Sequence, residues 1–264
     1  MIDLRFSPAE LEARRQHITR FIEEQVQSAD AEGVVLGLSG GIDSTLTAYL
    51  AVDALGPDDV YGLVLPAAVS GDRHMSDAER VAESLEIDYD VIAVEPVVDT
   101  LLEAYPDAKT DHEAVGNARA RVRAVFSYLV ANHENSLVLG TGNRSEAAVG
   151  YFTKFGDGAV DCHPIGNLYK VQVRQLAGHV GVPDDLVSKT PTAELWADQT
   201  DEDELGIDYD TLDVILATHV DGPLSADATV RELDVDRETV ERVRSLYADS
   251  EHKRRLPPSP EPRA

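Results

Sequence analysis

The sequence predicts an α/β protein: a single doubly wound domain over residues 1–264, with a parallel sheet of about five strands flanked by helices and a helical C-terminal part. Three observations predict it. Short apolar runs alternate with amphipathic segments through the first two thirds of the chain, the pattern of parallel βαβ units covered on both faces. The first apolar run leads directly into a glycine-rich turn that opens a helix. The length of 264 residues, 43% of them hydrophobic, builds one large core without disulfides or metal staples.

The elements follow in order. Ser7-Pro8-Ala9-Glu10 is a helix start, with Ser7 as cap, Pro8 at the first helical position and Glu10 completing a capping box. Leu11, Ile18, Ile22 and Val26 recur near helical spacing, so one amphipathic helix runs from residue 8 to about 29. The run from Gly33 to Leu38 is a short buried strand, and Thr45–Leu55 is a helix ended by Gly56-Pro57. Val60–Leu65 and Tyr89–Val94 read as strands around a helix at Ser76–Leu85. Val115–Ala131 is a long helix, Ser136–Leu139 a fourth strand ending in Gly140-Thr141-Gly142, and Leu168–Val180 a helix before Gly181-Val182-Pro183. From about Asp208 the chain is helical and acidic, over 208–218, 227–233 and 236–249. It then turns basic at Glu251–Arg255 and proline-rich at Leu256–Pro262. No internal repeat and no long linker divides it.

Composition narrows the function. Asp and Glu number 49 against 23 Lys and Arg, a formal net charge of −26. Nucleic acids and anionic membranes both need a basic footprint, so neither is the main partner. Only five of the basic residues are lysine, at positions 109, 154, 170, 189 and 253. An acidic, lysine-poor chain that still carries a core's worth of apolar residues fits a high-salt cytoplasm, where carboxylates hold water and counterions and salt screens their repulsion. With one cysteine, Cys162, the chain forms no internal disulfide and no paired-cysteine zinc or thiolation site. Cys162 reads as a small buried hydrophobe. The N-terminal stretch has no apolar signal core and no run approaches a membrane span, so a soluble cytoplasmic protein is expected.

The turn Ser39-Gly40-Gly41-Ile42-Asp43-Ser44 carries the chemistry. Glycines let the backbone approach a ligand, and the helix N-terminus supplies free N–H donors and a positive dipole end. The familiar nucleotide loop sets a lysine beside the phosphates; here the charged residue is Asp43. A carboxylate at ~4 Å from a phosphate charge is repelled by about 4 kcal/mol at an effective dielectric of 20. A divalent cation between them reverses the sign, and Mg²⁺ typically takes one or two carboxylates plus phosphate oxygens. The loop therefore suits Mg²⁺·ATP with the β- and γ-phosphates leaving together as pyrophosphate. Glu146 opens a helix after the fourth strand, at the sheet edge where such folds bind ligands, and pairs with Asp43 as a second acid. Lys154, Lys170 and Lys253 stand in a chain otherwise nearly cleared of lysine, as flexible point charges for phosphate would. Thr141 and Gly142 fit a backbone-lined adenine or ribose pocket, and Gln199–Glu204 an acidic lid over a water-sensitive intermediate.

The loop resembles that of the N-type ATP pyrophosphatases, which adenylate a substrate and release pyrophosphate. Three further stretches, LGTGNRSEAAVGYFTKFGDGAVDCHPIGNLYK at 139–170, SKTPTAELWADQTDEDELGIDYDTLD at 188–213 and SEHKRRLP at 250–257, resemble ammonia-dependent NAD synthetases. The resemblance runs from the phosphate loop to the tail. It implies strand order 3-2-1-4-5, a homodimer with the dinucleotide site near the interface, and a two-step ligase. In that reaction the nicotinate carboxylate of deamido-NAD attacks the α-phosphate of ATP, and ammonia then displaces AMP to give NAD. It also implies roles by position. Gly37, Leu38, Ser39, Gly40, Gly41, Ile42, Asp43 and Ser44 form the phosphate loop, and Thr141, Lys170 and Thr192 complete the ATP contacts. Asp43 and Glu146 hold magnesium; Asp43 and Lys170 carry the catalysis. Arg121, Lys154, Asp161, His252 and Lys253 contact deamido-NAD, with Arg119 and Arg123 flanking Arg121 as alternatives. Two positions depart from the family pattern: Arg144 replaces a common lysine, and Asn167 a common aspartate. No glutaminase is expected, so ammonia comes free or from a partner. Two rivals remain: another adenylating ligase with a different carboxylate, and a non-catalytic ATP-binding module, which would need neither Glu146 nor the substrate lysines.

Overall fold

Alternation of small and branched apolar residues sets the sheet. Gly33–Gly37 (β1), Val60–Val64 (β2), Asp88–Val91 (β3) and Ser136–Leu139 (β4) form one parallel sheet in the order β3-β2-β1-β4. The structure is a computed structural model; it describes residues 2–67, 72–192 and 200–260, the backbone alone at 72–75. β1 lies centrally, with Val34 opposite Val60 on one side and Leu137 on the other. Because successive strand residues face opposite ways, Val34 and Leu36 join one core and Val35 the other.

The first core lies under Pro8–Ala29 (α1), Ile42–Leu55 (α2), Asp72–Ser84 (α3) and Lys170–His179 (α7). The second lies under Glu95–Ala104 (α4) and His112–His133 (α5). A third, separate cluster joins the short Arg144–Val149 (α6) to the C-terminal helices: Asp201–Leu205 (α9), Tyr209–Ile215 (α10) and Arg237–Asp249 (α12). Asp184–Val187 (α8) and Ala226–Leu233 (α11) complete the helices.

The expected capping box at Ser7 and Glu10 is present. Two expectations need correction. The sheet has four strands among the described residues, not about five. At the fifth position residues 160–163 run beside β4 for a single parallel bridge, Leu139 to Cys162. Pro164 follows at once, and a proline has no N–H to continue a ladder. The third strand ends at Val91 rather than Val94, because Val94 is already the N-cap of α4, a helix whose start is marked by Pro96.

β1 and β4 are neighbours, yet the chain leaves them for opposite edges of the sheet, β1 toward β2 and β4 toward residues 160–163. The turns after their carboxyl ends therefore open a crevice, the usual ligand position in such sheets.

The acidic excess sits on the outside: Glu232, Asp234, Asp236 and Glu238 are four exposed acids within seven residues. With a net charge of −26, self-repulsion destabilises the compact state wherever salt is too dilute to screen it. Raising KCl from about 0.01 M to about 1 M shortens the screening length from about 30 Å to about 3 Å. We expect the melting temperature to rise by about 10 °C over that range. Thermal unfolding across a KCl series checks it, and a flat or falling midpoint would contradict it.

Candidate active site

The phosphate loop is built by its own hydrogen bonds. Leu38 N–H continues the ladder to the Leu63 carbonyl at 2.8 Å, and the chain then turns through Gly40, whose φ of +71° favours glycine. Gly41 N–H donates to Ser39 Oγ at 3.2 Å, and the Ser39 and Ser44 hydroxyls meet at 3.0 Å. Gly41 is the N-cap of α2, and no side chain caps this helix. Its first-turn N–H groups therefore stay available to a ligand.

Asp43 lies in that first turn. Across the crevice, Asn143 caps α6 in a reciprocal box with Glu146: Glu146 N–H donates to Asn143 Oδ1 at 3.0 Å, and Asn143 N–H to Glu146 Oε2 at 3.3 Å. Fully buried Asn143 also donates from Nδ2 to Asp43 Oδ1 at 2.8 Å, joining the two helix starts. Lys170, 2% exposed at the start of α7, donates from Nζ to Asp43 Oδ2 at 2.6 Å and Glu146 Oε1 at 3.0 Å. The Tyr209 ring lies 5.0 Å from that ammonium, and its hydroxyl donates to Asp201 at 2.8 Å. The backbone of Lys170 is held too: its N–H donates to Ser145 Oγ at 2.9 Å, and the next N–H to buried Asp213.

Burial opposes charge on Lys170, Glu146 and Asp201, and their neighbours decide which keep it. Lys170 is desolvated, but the Asp43 and Glu146 carboxylates outweigh that and hold its pKa above the ordinary lysine value. Burial pushes the Glu146 carboxyl up to about 7; Lys170 pulls it down, while Asp43 and Asp201 push it further up. Burial likewise raises Asp201. One buried oxygen of Asp201, Oδ1, has no hydrogen-bond partner among the described residues.

The cluster faces a cavity of about 910 Å³. Of the residues expected to bind ATP, all but Gly40 line it: Gly37, Leu38, Ser39, Ile42, Ser44, Thr141 and Thr192 beside those above. Arg121, Lys154, His252 and Lys253 line it as well. Lys154 Nζ donates to the His252 carbonyl at 2.5 Å, and Arg121 to the Lys154 carbonyl at 3.3 Å. Among the three arginines of α5, Arg119 is bound to Glu95 at 2.7 Å away from the cavity, whereas Arg121 and Arg123 line it. Asp161 is not brought to the cavity: it accepts Val138 N–H at 2.7 Å and the Tyr128 hydroxyl at 3.1 Å, fastening the edge of β4.

The basic tail folds back, chiefly onto backbone. Lys253 Nζ donates to the Gly150 and Phe152 carbonyls at 2.7 and 3.0 Å. Arg254 donates to the Ala148 carbonyl at 2.7 Å, so the tail closes the C-terminal end of α6. Gly150 makes this approach possible: a Cβ there would lie 2.1 Å from Ser250 Cβ, and its φ is +71°. The acidic stretch expected as a lid is a short helix with Glu202, Asp203 and Glu204 exposed. Gln199 itself lies outside the described residues, Asp201–Leu205 is a helix, and Asp201 is buried.

Sequence reasoning missed Asn143, Asp201, Tyr209 and Lys189. Asn143 had a visible signal, since N-R-S-E is a capping box as legible as the one at Ser7. Lys189 donates to the Gly40 carbonyl and Asp77, and it is one of the five lysines.

Comparison with known proteins decides the family. The profile of the NAD synthase family matches residues 14–257. The chain belongs to that family. The NH(3)-dependent NAD(+) synthetase of Halobacterium salinarum is 63% identical over 259 residues, covering 98% of this chain and 97% of that one. The Hyperthermus butylicus protein of the same name is 49% identical over 248 residues, covering 94% and 90%. Among solved structures, the NMN synthetase of Francisella tularensis superposes with a TM-score of 0.83 at 38% identity, covering 97% of this chain and 99% of that one. The NH3-dependent NAD synthetase of Campylobacter jejuni, in complex with nitrate ion, gives 0.80 at 28% identity, covering 95% and 99%. ATP-dependent amidation of deamido-NAD with ammonia, expected from the sequence, is borne out by the NAD synthase family match and by the two NH(3)-dependent NAD(+) synthetases that cover nearly the whole chain.

Proposed function

We propose that the cavity holds ATP and deamido-NAD together and that the cluster of Asp43, Lys170 and Glu146 directs the leaving pyrophosphate. An oxygen of the nicotinate carboxylate attacks the α-phosphorus, forming an acyl adenylate as the bond to the β-phosphate oxygen breaks. Ammonia adds to the acyl carbon, loses a proton, and expels AMP to leave the carboxamide of NAD. Positioning and charge stabilisation supply the catalysis. The observation that carries this reading is that Lys170 and both acids converge beside the uncapped start of α2, in one cavity with Arg121, Lys154, His252 and Lys253. The loop N–H groups and Lys170 meet the β- and γ-phosphates, while Arg121, Lys154, His252 and Lys253 meet the dinucleotide.

The donor set fits magnesium. Asp43 and Glu146 supply two carboxylates side by side, bridged in the ligand-free protein by Lys170 Nζ. That leaves room for phosphate oxygens, the usual way Mg²⁺ is held. Bound there, the ion would neutralise charge on the departing pyrophosphate.

A second reading, amidation of a mononucleotide to NMN, is favoured by the likeness to the Francisella tularensis NMN synthetase. One assay in molar KCl tests both. Protein, ATP, Mg²⁺ and ammonium are supplied with either deamido-NAD or the mononucleotide acid, and the amide, AMP and pyrophosphate are each quantified. We expect equal amounts of all three with deamido-NAD, and none when ammonium is omitted. Turnover confined to the mononucleotide selects the second reading; no turnover by folded protein leaves a nucleotide-binding module.

Activity should depend on pH through Glu146. Only its ionised form pairs with Asp43 to hold a cation, and its carboxyl stands at about 7 in the ligand-free protein. Protonation therefore removes activity as pH falls: kcat/KM for ATP should drop about tenfold per unit below about pH 7. A pH–rate profile checks this, and a profile flat from 5.5 to 8 would contradict it.

We also propose a homodimer across α5. Its outer face exposes Val125 and Leu129, 66% and 62%, on the stripe that begins one turn earlier with Arg121. Large apolar residues so placed support a partner surface beside the dinucleotide end of the cavity. Sedimentation should give a dimer that Val125→Glu with Leu129→Glu dissociates; a wild-type monomer at micromolar concentration refutes it. Residues 1–264 then act as one catalytic unit in the cytoplasm, where these substrates are used.

A further inference from the structure

Lys189 has no part in the steps above, yet it lies in the wall of the same cavity. Its side chain is 15% exposed, and its ammonium donates to the Gly40 carbonyl at 3.0 Å and to Asp77 of α3 at 2.7 Å. Asp77 also lies 3.4 Å from Arg80, whose guanidinium reaches Asp185 of α8 at 2.7 Å. Four alternating charges thus run from α8 through α3 to the backbone of the phosphate loop.

The end of that chain is a glycine peptide. A peptide is planar and trans, so the Gly40 carbonyl and the Gly41 N–H point in opposite directions. Fixing one fixes the other. Glycine on both sides of this peptide leaves nothing steric to hold its orientation, and Gly40 already sits at positive φ. With the carbonyl on Lys189, the N–H rests on Ser39 Oγ, which in turn meets Ser44 Oγ. Gly41, Ser39 and Ser44 line the cavity, and Gly40 does not. A rotated peptide would set a carbonyl oxygen against the phosphates, an acceptor facing acceptors.

We propose that Lys189 is a positioning residue for ATP: tethered by Asp77, it holds the Gly40 carbonyl out of the cavity so that the loop offers donors to the polyphosphate. The inference rests on the proposed ATP site.

The test combines ATP binding by calorimetry, with Mg²⁺ and without deamido-NAD, and steady-state kinetics of the full chain in molar KCl. Lys189→Met should weaken ATP binding and raise KM for ATP by about 10- to 100-fold, the range of a lost charge-assisted hydrogen bond. At saturating ATP, kcat should stay within about threefold, and KM for deamido-NAD should not move. Asp77→Asn, which keeps the lysine but loosens its tether, should give a smaller shift in the same direction. The double variant should be no worse than Lys189→Met alone, because both act through one contact. Lys189→Arg should recover part of the affinity. Unchanged ATP binding in Lys189→Met overturns the proposal, as does a large fall in kcat with binding intact, which would make Lys189 a group that touches the reacting phosphates. If Lys189→Met does not fold, Asp77→Asn decides: ATP binding equal to wild type overturns the proposal. Wild-type protein that binds no ATP overturns the proposed ATP site itself, an outcome distinct from a variant that matches a binding-competent wild type.

Discussion

Lys170→Met should cost the protein both its activity and about 3–5 kcal/mol of stability, the penalty for leaving buried charge uncompensated. Methionine fills a similar volume and is compatible with the contact to Tyr209, so packing changes little. What disappears is the one cation bonded to both Asp43 and Glu146. The two acids then face each other, and Glu146, already pushed up to about 7, retains its proton across the neutral range. Turnover should fall by at least about 10²-fold, since a charge aimed at the leaving group is lost. Urea unfolding in constant molar KCl and kcat at saturating substrates measure the two effects. A variant of wild-type stability would mean that the three charges do not act as one unit.

Asp43→Asn keeps the shape of the side chain and the Lys170 bond to Glu146, but its amide NH2 must face one of two donors, Lys170 Nζ or Asn143 Nδ2, so stability should fall by about 1–3 kcal/mol, less than in Lys170→Met. Activity should fall by about 10²- to 10³-fold, because the charge that would bridge to the phosphates is gone. Ser44→Ala is the control. The Ser44 hydroxyl serves the loop, accepting Ser39 N–H at 3.2 Å and donating to the Gly41 carbonyl at 3.1 Å. Its loss should slow turnover by less than about tenfold. Equal losses in the two variants would remove the special role of Asp43.

The sheet was legible because three of its strands are short apolar runs bounded by glycine, proline or aspartate. β4 matches its expected range, and β1 and β2 differ only at one end. The third strand and α4 were not separated, since the residues from Tyr89 to Val98 are apolar or acidic without a glycine between them. The expected fifth strand came from family likeness and had no apolar run behind it. In the site, residues sharing one stretch of sequence were legible: the phosphate loop, Glu146 and Lys170. Asp201 and Tyr209 were not, because acidic and aromatic residues in an acidic tail look like solvated surface until the fold buries them beneath Lys170. Asp161, expected to contact deamido-NAD, accepts Val138 N–H at the edge of β4, beside Val160 in the cavity wall.

The clasp of Ser250, Lys253 and Arg254 on the end of α6 bears on how the enzyme is made. All four strands are encoded by residue 139, whereas the helix that carries Glu146 is closed only by residues more than a hundred positions later. A chain emerging from the ribosome can assemble its sheet long before it can finish its active site. The helix that bears Glu146 thus gains its last contacts only when the end of the fold has been made.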